Sequence, residues 1–311
     1  MILSEGINPT DSKLSTILPK VTFCIITYNQ QNYIGEAIES AFNQDYHGEI
    51  EYIISDDASS DRTFDVINAV ISRFQEENII LNRHKNNLGI ASNVNWVLNH
   101  ATGDYIVLAD GDDVFNPSRV SRVIDYFISN PGAIMVDCGY NVMDAQGKVW
   151  LTVNQNAGSV FTVKDLTPWN NIWCNGCSRM IHRKLLSFFP DLNSDIYDHD
   201  MPMIARALLG NGEIHIIGDV LVNYRVHENN LTNAKNIKHY NRAALSRQYM
   251  DDFLYATSRK YFPVKYYISV WLFIKKYTLA TILLKSKWYV EYIQPIKRKL
   301  FHQSNSHHLK I

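Results

Sequence analysis

The chain has 311 residues, of which 46% are hydrophobic, and this is enough for one large core with smaller additions. Its 30 Lys and Arg residues nearly balance its 31 Asp and Glu residues, and the resulting net charge of -1 argues against nucleic acid as a partner. Four cysteines, scattered along the chain, are too few for a disulfide framework and favour a reducing, cytoplasmic setting.

We interpret residues 1–19 as a leader. They lack the long apolar segment of a signal peptide, which agrees with a cytoplasmic location. No stretch of the chain reaches the roughly 18 uncharged apolar residues expected of a spanning helix. The sequence therefore predicts no integral membrane segment.

From Val21 onward, short apolar runs alternate with helical stripes through four strand–helix units. The predicted strands are 21–27, 50–55, 79–82 and 104–109, and the helical stripes begin at Ile34, Phe64, Ile90 and Val120. Such alternation is typical of right-handed crossovers between parallel strands. The pattern predicts an α/β fold with a buried, mostly parallel sheet and helices on both faces.

Polar residues follow three of these predicted strands. They are Thr27, Tyr28 and Asn29 after the first, Asp56 and Asp57 after the second, and Asp110, Asp112 and Asp113 after the fourth. The carboxyl ends of parallel strands meet at one edge of a sheet, where ligands bind. Mg²⁺ and Mn²⁺ prefer carboxylate oxygens, often one or two together with substrate phosphates. The alternative is a solvated strand end in which Asp forms turns.

After about residue 133 the rhythm changes. We predict strands around a turn at 144–147, a strand at 177–182, a helix at 198–209, paired strands within 213–227, and mostly helix from about 236. This divides the chain, after the leader, into a first half (20–130), a second half of the same domain (131–235) and a helical C-terminal extension (236–311).

Several segments resemble a known family in the family's own order. VTFCIITYNQQNYIGEAIESAFNQ, EYIISDDASSDRT and NNLGIASNVNWVLNHATGDYIVLADGDDVFNPSRV are similar to the nucleotide-binding half of family 2 inverting glycosyltransferases, which have the GT-A fold. The resemblance covers roughly residues 20–130. It implies a bacterial enzyme of surface polysaccharide or O-antigen synthesis. Such an enzyme uses Mn²⁺ or Mg²⁺ and moves a sugar from a nucleotide-sugar, expected to be a UDP-sugar, to a saccharide or lipid-linked saccharide.

The resemblance also implies roles for single residues. Those expected to bind the nucleotide are Thr27, Tyr28, Asn29, Asp57, Asn87, Asp110 and Asp112. Those expected to hold the metal are Asp112, Asp113 and His227, the last in NYRVHENN, where Arg225 is expected to pair with phosphate. A structural role is the alternative for both His227 and Arg225.

An inverting transfer needs a carboxylate to accept the proton of the acceptor hydroxyl. In the family this base comes from a Glu-Asp pair at the start of a helix, with an Arg further on. The matching stretch here is DHDMPMIAR, where alignment on Arg206 puts His199 in place of the Glu. We predict Asp200 as the base, with Asp198 as the second candidate. A helix cap is the alternative role for Asp200.

The stretch WCNGC corresponds to the acceptor pocket of similar enzymes, so Trp173, Asn175 and Gly176 are predicted to contact the acceptor. Trp169 and Trp173 suit stacking on a sugar ring or burial in the core. Cys174 and Cys177 have the spacing of a zinc or redox pair, but a structural zinc site needs a second pair, which the sequence lacks.

Residues 240–300 mix aromatic and aliphatic residues with Lys and Arg. This mixture predicts peripheral contact with the inner face of the cytoplasmic membrane. The alternative is a helical hairpin that contacts the domain or a second copy in a homodimer.

Three other functions compete with sugar transfer. The first is a relative that binds nucleotide-sugar without catalysis, because His199 departs from the family pattern. The second is a Mg²⁺-dependent phospho-acceptor signalling module, which leaves the long second half unexplained. The third is a nucleotidyltransferase, which normally has a Gly-rich basic loop where this chain has TYNQQNY.

Overall fold

A computed structural model describes residues 18–74, 78–154, 156–167, 172, 176–230 and 242–283 of the chain. The leader up to residue 17 lies outside the described residues. So do Trp173 and Asn175 of the predicted acceptor site, together with Trp169 and Cys174.

One sheet contains the ten strands found in the described ranges. They are Val21–Thr27 (β1), Ile50–Asp56 (β2), Ile79–Arg83 (β3), Tyr105–Asp110 (β4), Val114–Phe115 (β5), Ala133–Met143 (β6), Val149–Val153 (β7), Val160–Phe161 (β8), Met180–His182 (β9) and Glu213–Arg225 (β10). Their order is β3-β2-β1-β4-β9-β6-β10-β5, with β7 paired to β6 and β8 to β10.

Helices cover both faces of this sheet. They are Ile34–Phe42 (α1), Thr63–Ile71 (α2), Ile90–His100 (α3), Arg119–Ser129 (α4), Asp200–Leu209 (α5), Arg242–Ser258 (α6) and Tyr267–Leu283 (α7). Along β1, Phe23 and Ile25 face the core that contains α1, α2 and α4, while Cys24 and Ile26 face the core of the other helices. All seven residues of β1 are buried, which explains the unbroken apolar run in its sequence.

The predicted α/β class is confirmed, and the sheet is mixed. β1 to β4 are parallel neighbours, and β6 is parallel to β10. The short strand β9 runs antiparallel to both β4 and β6 and so joins the two parallel halves. Because the first four strands are parallel, Thr27, Asp57 and Asp110 come together at one edge of the sheet.

The prediction of two paired strands within 213–227 is wrong. These residues form the single strand β10, which pairs along β6 with register shifts between Ile216 and Val222. Gly218 and Asp219 have the residue types of a hairpin turn, but they lie in a bulge that bends one strand. The predicted strand 177–182 is also shorter than expected, because a 3-10 turn occupies Gly176–Ser178 before β9 begins.

The C-terminal helices are attached to the domain through α6. Arg206 of α5 donates hydrogen bonds from Nε and Nη2 to the carboxylate of Asp252, both at 2.9 Å, and both side chains are buried. Gln248 adds a hydrogen bond from Nε2 to the same carboxylate at 2.9 Å. α7 then packs on α6. Within the described ranges, none of the helices combines the length and apolar character needed to cross a bilayer.

Candidate functional site

A cavity of about 560 Å³ opens at the carboxyl edge of the parallel strands. Its lining includes ten of the predicted site residues: Thr27, Tyr28, Asn29, Asp57, Asn87, Asp110, Asp112, Asp198, Asp200 and His227. The predicted nucleotide, metal and base residues thus meet in one place, although 200 positions separate Thr27 from His227. Asp113 and Gly176 are adjacent to this site but do not line the cavity.

The loops after β1 and β2 are held together by side chains. The backbone N–H of Asn29 donates to Ser59 Oγ at 2.8 Å, and the Asn29 amide oxygen accepts from the N–H of Ser60 at 2.8 Å. Asn29 and Ala58 both have left-handed backbone conformations, with φ of 54° and 59°. Asn tolerates this region, whereas Ala at positive φ is strained. The strain lies beside Asp57, where strained backbone often serves a function.

Asp57 is fixed by backbone groups at the start of α3. Its two carboxylate oxygens accept the N–H groups of Leu88 and Gly89, at 2.8 and 2.9 Å. The side chain is 3% exposed, so its remaining lone pairs are available only on the cavity side. Asp57 is therefore a rigid acceptor, suited to the donor groups of a base or a ribose.

The acidic loop after β4 carries more negative charge than its burial would favour. Burial and the neighbouring Asp112 carboxylate raise the pKa of Asp110 to about 7, against the opposing charges of Arg179 and Arg119. Burial raises the pKa of Asp113 well above its usual range, and the other two carboxylates add to the effect. A bound cation would offset this repulsion and favour the ionised forms of the carboxyl groups.

Asp112 and Asp113, which the sequence did not distinguish, have different surroundings. Asp112 contacts His227, with 2.8 Å between Oδ2 and Nε2, and both line the cavity. Asp113 is fully buried, and its Oδ1 accepts the backbone N–H of Arg225 at 2.9 Å. Asp112 is thus the carboxylate that faces the cavity, while Asp113 is bonded to the backbone of β10.

Arg225 is directed into the protein and away from the cavity. Its Nε donates to the carbonyl oxygen of Asp112 at 2.8 Å, and its Nη2 donates to Glu36 at 2.5 Å. The Tyr33 ring lies 5.0 Å from the guanidinium carbon and stacks on His227 with 4.5 Å between the ring centroids. The expected pairing of Arg225 with phosphate therefore has no support in this geometry. Arg225 positions the loop instead.

The residues present fit a divalent cation that binds together with a diphosphate. Among the described residues, no three His, Cys, Asp or Glu side chains form a ready-made metal centre. Asp112 and His227 offer one carboxylate and one imidazole, while Asp113 Oδ2 is buried and has no hydrogen-bond partner among the residues that the structure describes. Mg²⁺ usually takes one or two protein carboxylates and completes its shell with phosphate and water. The few protein ligands at this site match that coordination preference of Mg²⁺.

The second pair of carboxylates lies at the start of α5. Asp198 Oδ1 accepts the N–H of Asp200 at 2.9 Å and so caps the helix, a role that was the alternative for Asp200. Burial raises the pKa of Asp198. The Asp200 side chain, 39% exposed, is paired with the guanidinium of Arg179. His199, which lies between Asp198 and Asp200 in the sequence, is buried. Burial together with the charge of Arg179 lowers the pKa of His199 to about 3, which keeps the ring neutral.

Gly176, predicted to contact the acceptor, lies directly against Asp200. A Cβ atom at this position would be 2.6 Å from the Asp200 Cγ, too close for any side chain. Glycine at this position therefore leaves room for the Asp200 carboxylate, which any side chain would displace. Gly176 shapes the surroundings of the candidate base, and its contact with an acceptor stays a prediction.

Two buried arginines lie beside the site and were not predicted from the sequence. Arg179 is 1% exposed, and its Nη1 donates to the carbonyl oxygen of Asp200 at 2.9 Å. Arg119 is fully buried; its Nη2 donates to the carbonyl oxygen of Cys177 at 3.1 Å, and its Nε and Nη1 have no hydrogen-bond partner in the described part of the chain. Both positive charges offset the acidic loop. Single arginines next to apolar residues gave no signal, because only the folded chain brings them to the carboxylates.

Comparison with known sequences identifies relatives of this chain. A family model described as "Glycosyl transferase family 2" matches residues 22–189. EpsE of Bacillus subtilis (strain 168), a glycosyltransferase by name, is 34% identical over 129 residues, which are 42% of this chain and 46% of EpsE. An uncharacterized glycosyltransferase of Rickettsia bellii (strain RML369-C) is 31% identical over 196 residues, 61% of this chain and 26% of that protein. The chain thus spans less than half the length of either relative.

Solved structures share the fold. The mannosyltransferase PcManGT of Pyrobaculum calidifontis, in complex with GDP-Man and Mn²⁺, superposes with a TM-score of 0.56 at 18% identity, over 92% of this chain and 81% of its own. Residues 1–349 of S. aureus TarS, in complex with UDP-GlcNAc, also give a TM-score of 0.56 at 18% identity, over 76% and 66%. Identities this low establish the fold alone, which is of the GT-A type.

Proposed function

Because the chain belongs to glycosyl transferase family 2, we propose that it transfers a sugar, with inversion, from a nucleotide-sugar to a saccharide acceptor. The observation that carries this proposal is the single cavity in which two sets of carboxylates face each other. One set follows the parallel strands and suits a nucleoside diphosphate with its cation. The other, at the start of α5, suits removal of a proton from an acceptor hydroxyl.

On the donor side we assign binding of the nucleobase and the ribose to Thr27, Tyr28, Asn29, Asp57, Asn87 and Asp110. Asp112 and His227 would hold Mn²⁺ or Mg²⁺ on the diphosphate, with Asp113 behind them. When bound, the cation supplies positive charge against the charge that develops on the departing diphosphate. A UDP-sugar is our first choice of donor, and a GDP-sugar is the alternative to be tested.

Asp200 is the proposed base. Its carboxylate would accept the hydroxyl proton as the acceptor oxygen bonds to the anomeric carbon, while the bond from that carbon to the diphosphate oxygen breaks and the nucleoside diphosphate leaves with the electron pair. The exposure of Asp200 to the cavity and the capping role of Asp198 favour Asp200 over Asp198 as the base. Asp198 is the second candidate, since burial raises its pKa and so favours proton uptake.

For the acceptor we propose a saccharide or lipid-linked saccharide of surface polysaccharide or O-antigen synthesis, to which a hexosyl group is added. Peripheral contact with the inner face of the cytoplasmic membrane belongs to the same proposal, because a lipid-linked acceptor would be held there.

One observation favours a second candidate function, binding of nucleotide-sugar without transfer. Arg179 pairs with the Asp200 carboxylate, and a carboxylate paired with a guanidinium is a weaker base than a free one. His199 stands beside it in place of the family's Glu.

The test is release of nucleoside diphosphate from a panel of UDP- and GDP-sugars, with Mn²⁺, with Mg²⁺ and with EDTA. We expect cation-dependent release from one donor class, and a loss of about a hundredfold or more in Asp200→Asn with donor binding kept. If Asp198→Asn alone loses release, the base is Asp198. Binding without release in the wild type would favour the second candidate. A folded protein that neither binds nor cleaves any donor would contradict both.

A further inference from the structure

The outer side of α7 is apolar and exposed. Ile268, Trp271 and Leu272 are 75%, 43% and 43% exposed, whereas Val270, Phe273 and Ile274 are buried against the domain. The exposed residues are spaced i, i+3 and i+4, which places them on one side of the helix. Val264, four positions before Ile268 in the preceding 3-10 turn, is 72% exposed and extends the row. We call these four residues the α7 face.

Cations accompany the α7 face. Lys265 lies between Val264 and Ile268 in the chain, and Lys275 follows Leu272 by three positions, with its Nζ 5.5 Å from the centroid of the Trp271 ring. Arg259 and Lys260, both exposed, come shortly before it. From residue 253 to residue 290 the sequence has seven Lys and Arg residues and no Asp or Glu. The chain on either side of the apolar row therefore carries charge of one sign.

We propose that the α7 face docks on an anionic lipid bilayer, with its apolar side chains at the level of the acyl-chain boundary and its cations among the headgroups. An amphipathic helix binds an interface by buried apolar area together with attraction to anionic lipid. Trp suits this depth, and Lys keeps its ammonium at the headgroups while its aliphatic stem lies on the apolar surface. The inference rests on the membrane contact of the proposed function and gives it a surface and a lipid chemistry.

Charge argues against two other occupants of the α7 face. In a symmetric dimer through this face, its cations would lie against the same cations of the second copy, which is unfavourable. The C-terminal segment 284–311 is also basic, with six Lys and Arg residues and one Glu. An anionic bilayer is the occupant whose charge complements the face.

The chain offers a matched control surface on β7. Val149, Trp150 and Leu151 are 45%, 40% and 44% exposed, close in composition and exposure to Ile268, Trp271 and Leu272. Replacing either trio by serine removes exposed apolar side chains. Comparison of the two triple variants therefore distinguishes binding through the α7 face from non-specific hydrophobic binding to vesicles.

The experiment is co-sedimentation of the full chain with phosphatidylcholine vesicles, with and without phosphatidylglycerol. We expect wild-type binding only to the anionic vesicles, at least about tenfold weaker binding for the α7 triple variant, and less than about a twofold change for the β7 variant. Lys265→Glu with Lys275→Glu should weaken binding at low salt and should make the remaining binding less sensitive to added salt than wild-type binding, because the attraction that salt screens has been removed.

Three results would overturn the proposal. They are no binding of the wild type to anionic vesicles, equal loss in both triple variants, and a wild-type dimer that only the α7 variant dissociates. Circular dichroism of each variant verifies folding; Leu272→Ser alone replaces the α7 triple variant if that variant fails to fold, and Leu151→Ser alone replaces the β7 triple variant. Donor cleavage, assayed in the same samples without vesicles, should be unchanged in the α7 variant. If the wild type binds vesicles but cleaves no donor, the result counts against the proposed sugar transfer and not against the membrane surface.

Discussion

At the scale of single residues, the candidate base is defined more by its neighbours than by its own sequence position. Arg179 donates to both the carboxylate and the backbone carbonyl of Asp200, and Gly176 leaves room for that carboxylate. A positive charge beside a carboxylate favours its ionised form. Arg179 thus acts as a positioning residue that keeps Asp200 aimed and charged.

Replacing Arg179 should change the pH dependence of the reaction. In Arg179→Met we expect kcat to fall about tenfold or more, and the low-pH half of the activity profile to move to higher pH, because protonation of Asp200 is no longer opposed. Arg179→Lys should restore the profile in part. A role limited to folding would lower the amount of active enzyme in both variants and leave the shape of the profile as in the wild type.

Ala58 gives a test of the strain beside Asp57. Its φ of 59° is costly for Ala and free for Gly, so Ala58→Gly should raise the free energy of unfolding by up to about 1 kcal/mol. Ala69, exposed in α2, is the control, since Ala69→Gly in a regular helix should lower that free energy by about 1 kcal/mol. Urea unfolding measures both. Destabilisation of equal size in the two variants would contradict the strain.

At the scale of elements, the four strand–helix units were predictable because a strand buried on both faces has an unbroken apolar sequence. The bend in β10 was not predictable, because Gly218-Asp219 fits a turn and a bulge equally well. The strand-end carboxylates were predictable as a group from topology. Their division of labour was not, because the difference between Asp112 and Asp113 arises from contacts with β10 and the loop after it, more than a hundred residues away.

A buried carboxylate ties three elements together at the opposite edge of the sheet. Glu51 of β2 accepts hydrogen bonds from Thr22 Oγ1 of β1 at 2.7 Å and from the N–H of Thr102, before β4, at 3.0 Å. Burial alone would raise the pKa of Glu51. The hydrogen bonds and the charge of Lys20 outweigh burial, and its pKa is lowered.

This lowered pKa predicts a pH dependence of stability. Glu51 should stabilise the fold above its unfolded pKa of about 4.3, and the contribution should disappear as pH falls through the lower folded pKa. Glu51→Gln should cost about 1–3 kcal/mol at neutral pH and should flatten the loss of stability between about pH 5 and pH 3. Urea unfolding across this range is the measurement, with Glu49→Gln on the surface as control. If the free energy of unfolding of Glu51→Gln falls with pH as steeply as that of the wild type, Glu51 is not the source of this pH dependence.

At the scale of the whole molecule, the sequence predicted the first half better than the second. The first half repeats one unit, and its order of motifs identifies the family. The second half consists of short antiparallel strands, 3-10 turns and a helix whose residues find partners far along the chain, as Arg206 does in Asp252. Periodicity indicates that α6 and α7 are helices, but it does not say which side of each faces the domain.

We propose above all that the cavity binds a nucleoside diphosphate through a cation held by Asp112. The most direct test is calorimetric titration of UDP and GDP into the wild type and Asp112→Asn, each with Mn²⁺ and with EDTA, with Asp195→Asn on the surface as control. We predict that Mn²⁺ tightens wild-type binding of one nucleotide by at least about tenfold and that Asp112→Asn loses this gain while Asp195→Asn keeps it. Wild-type Mn²⁺-dependent affinity in Asp112→Asn would contradict the account.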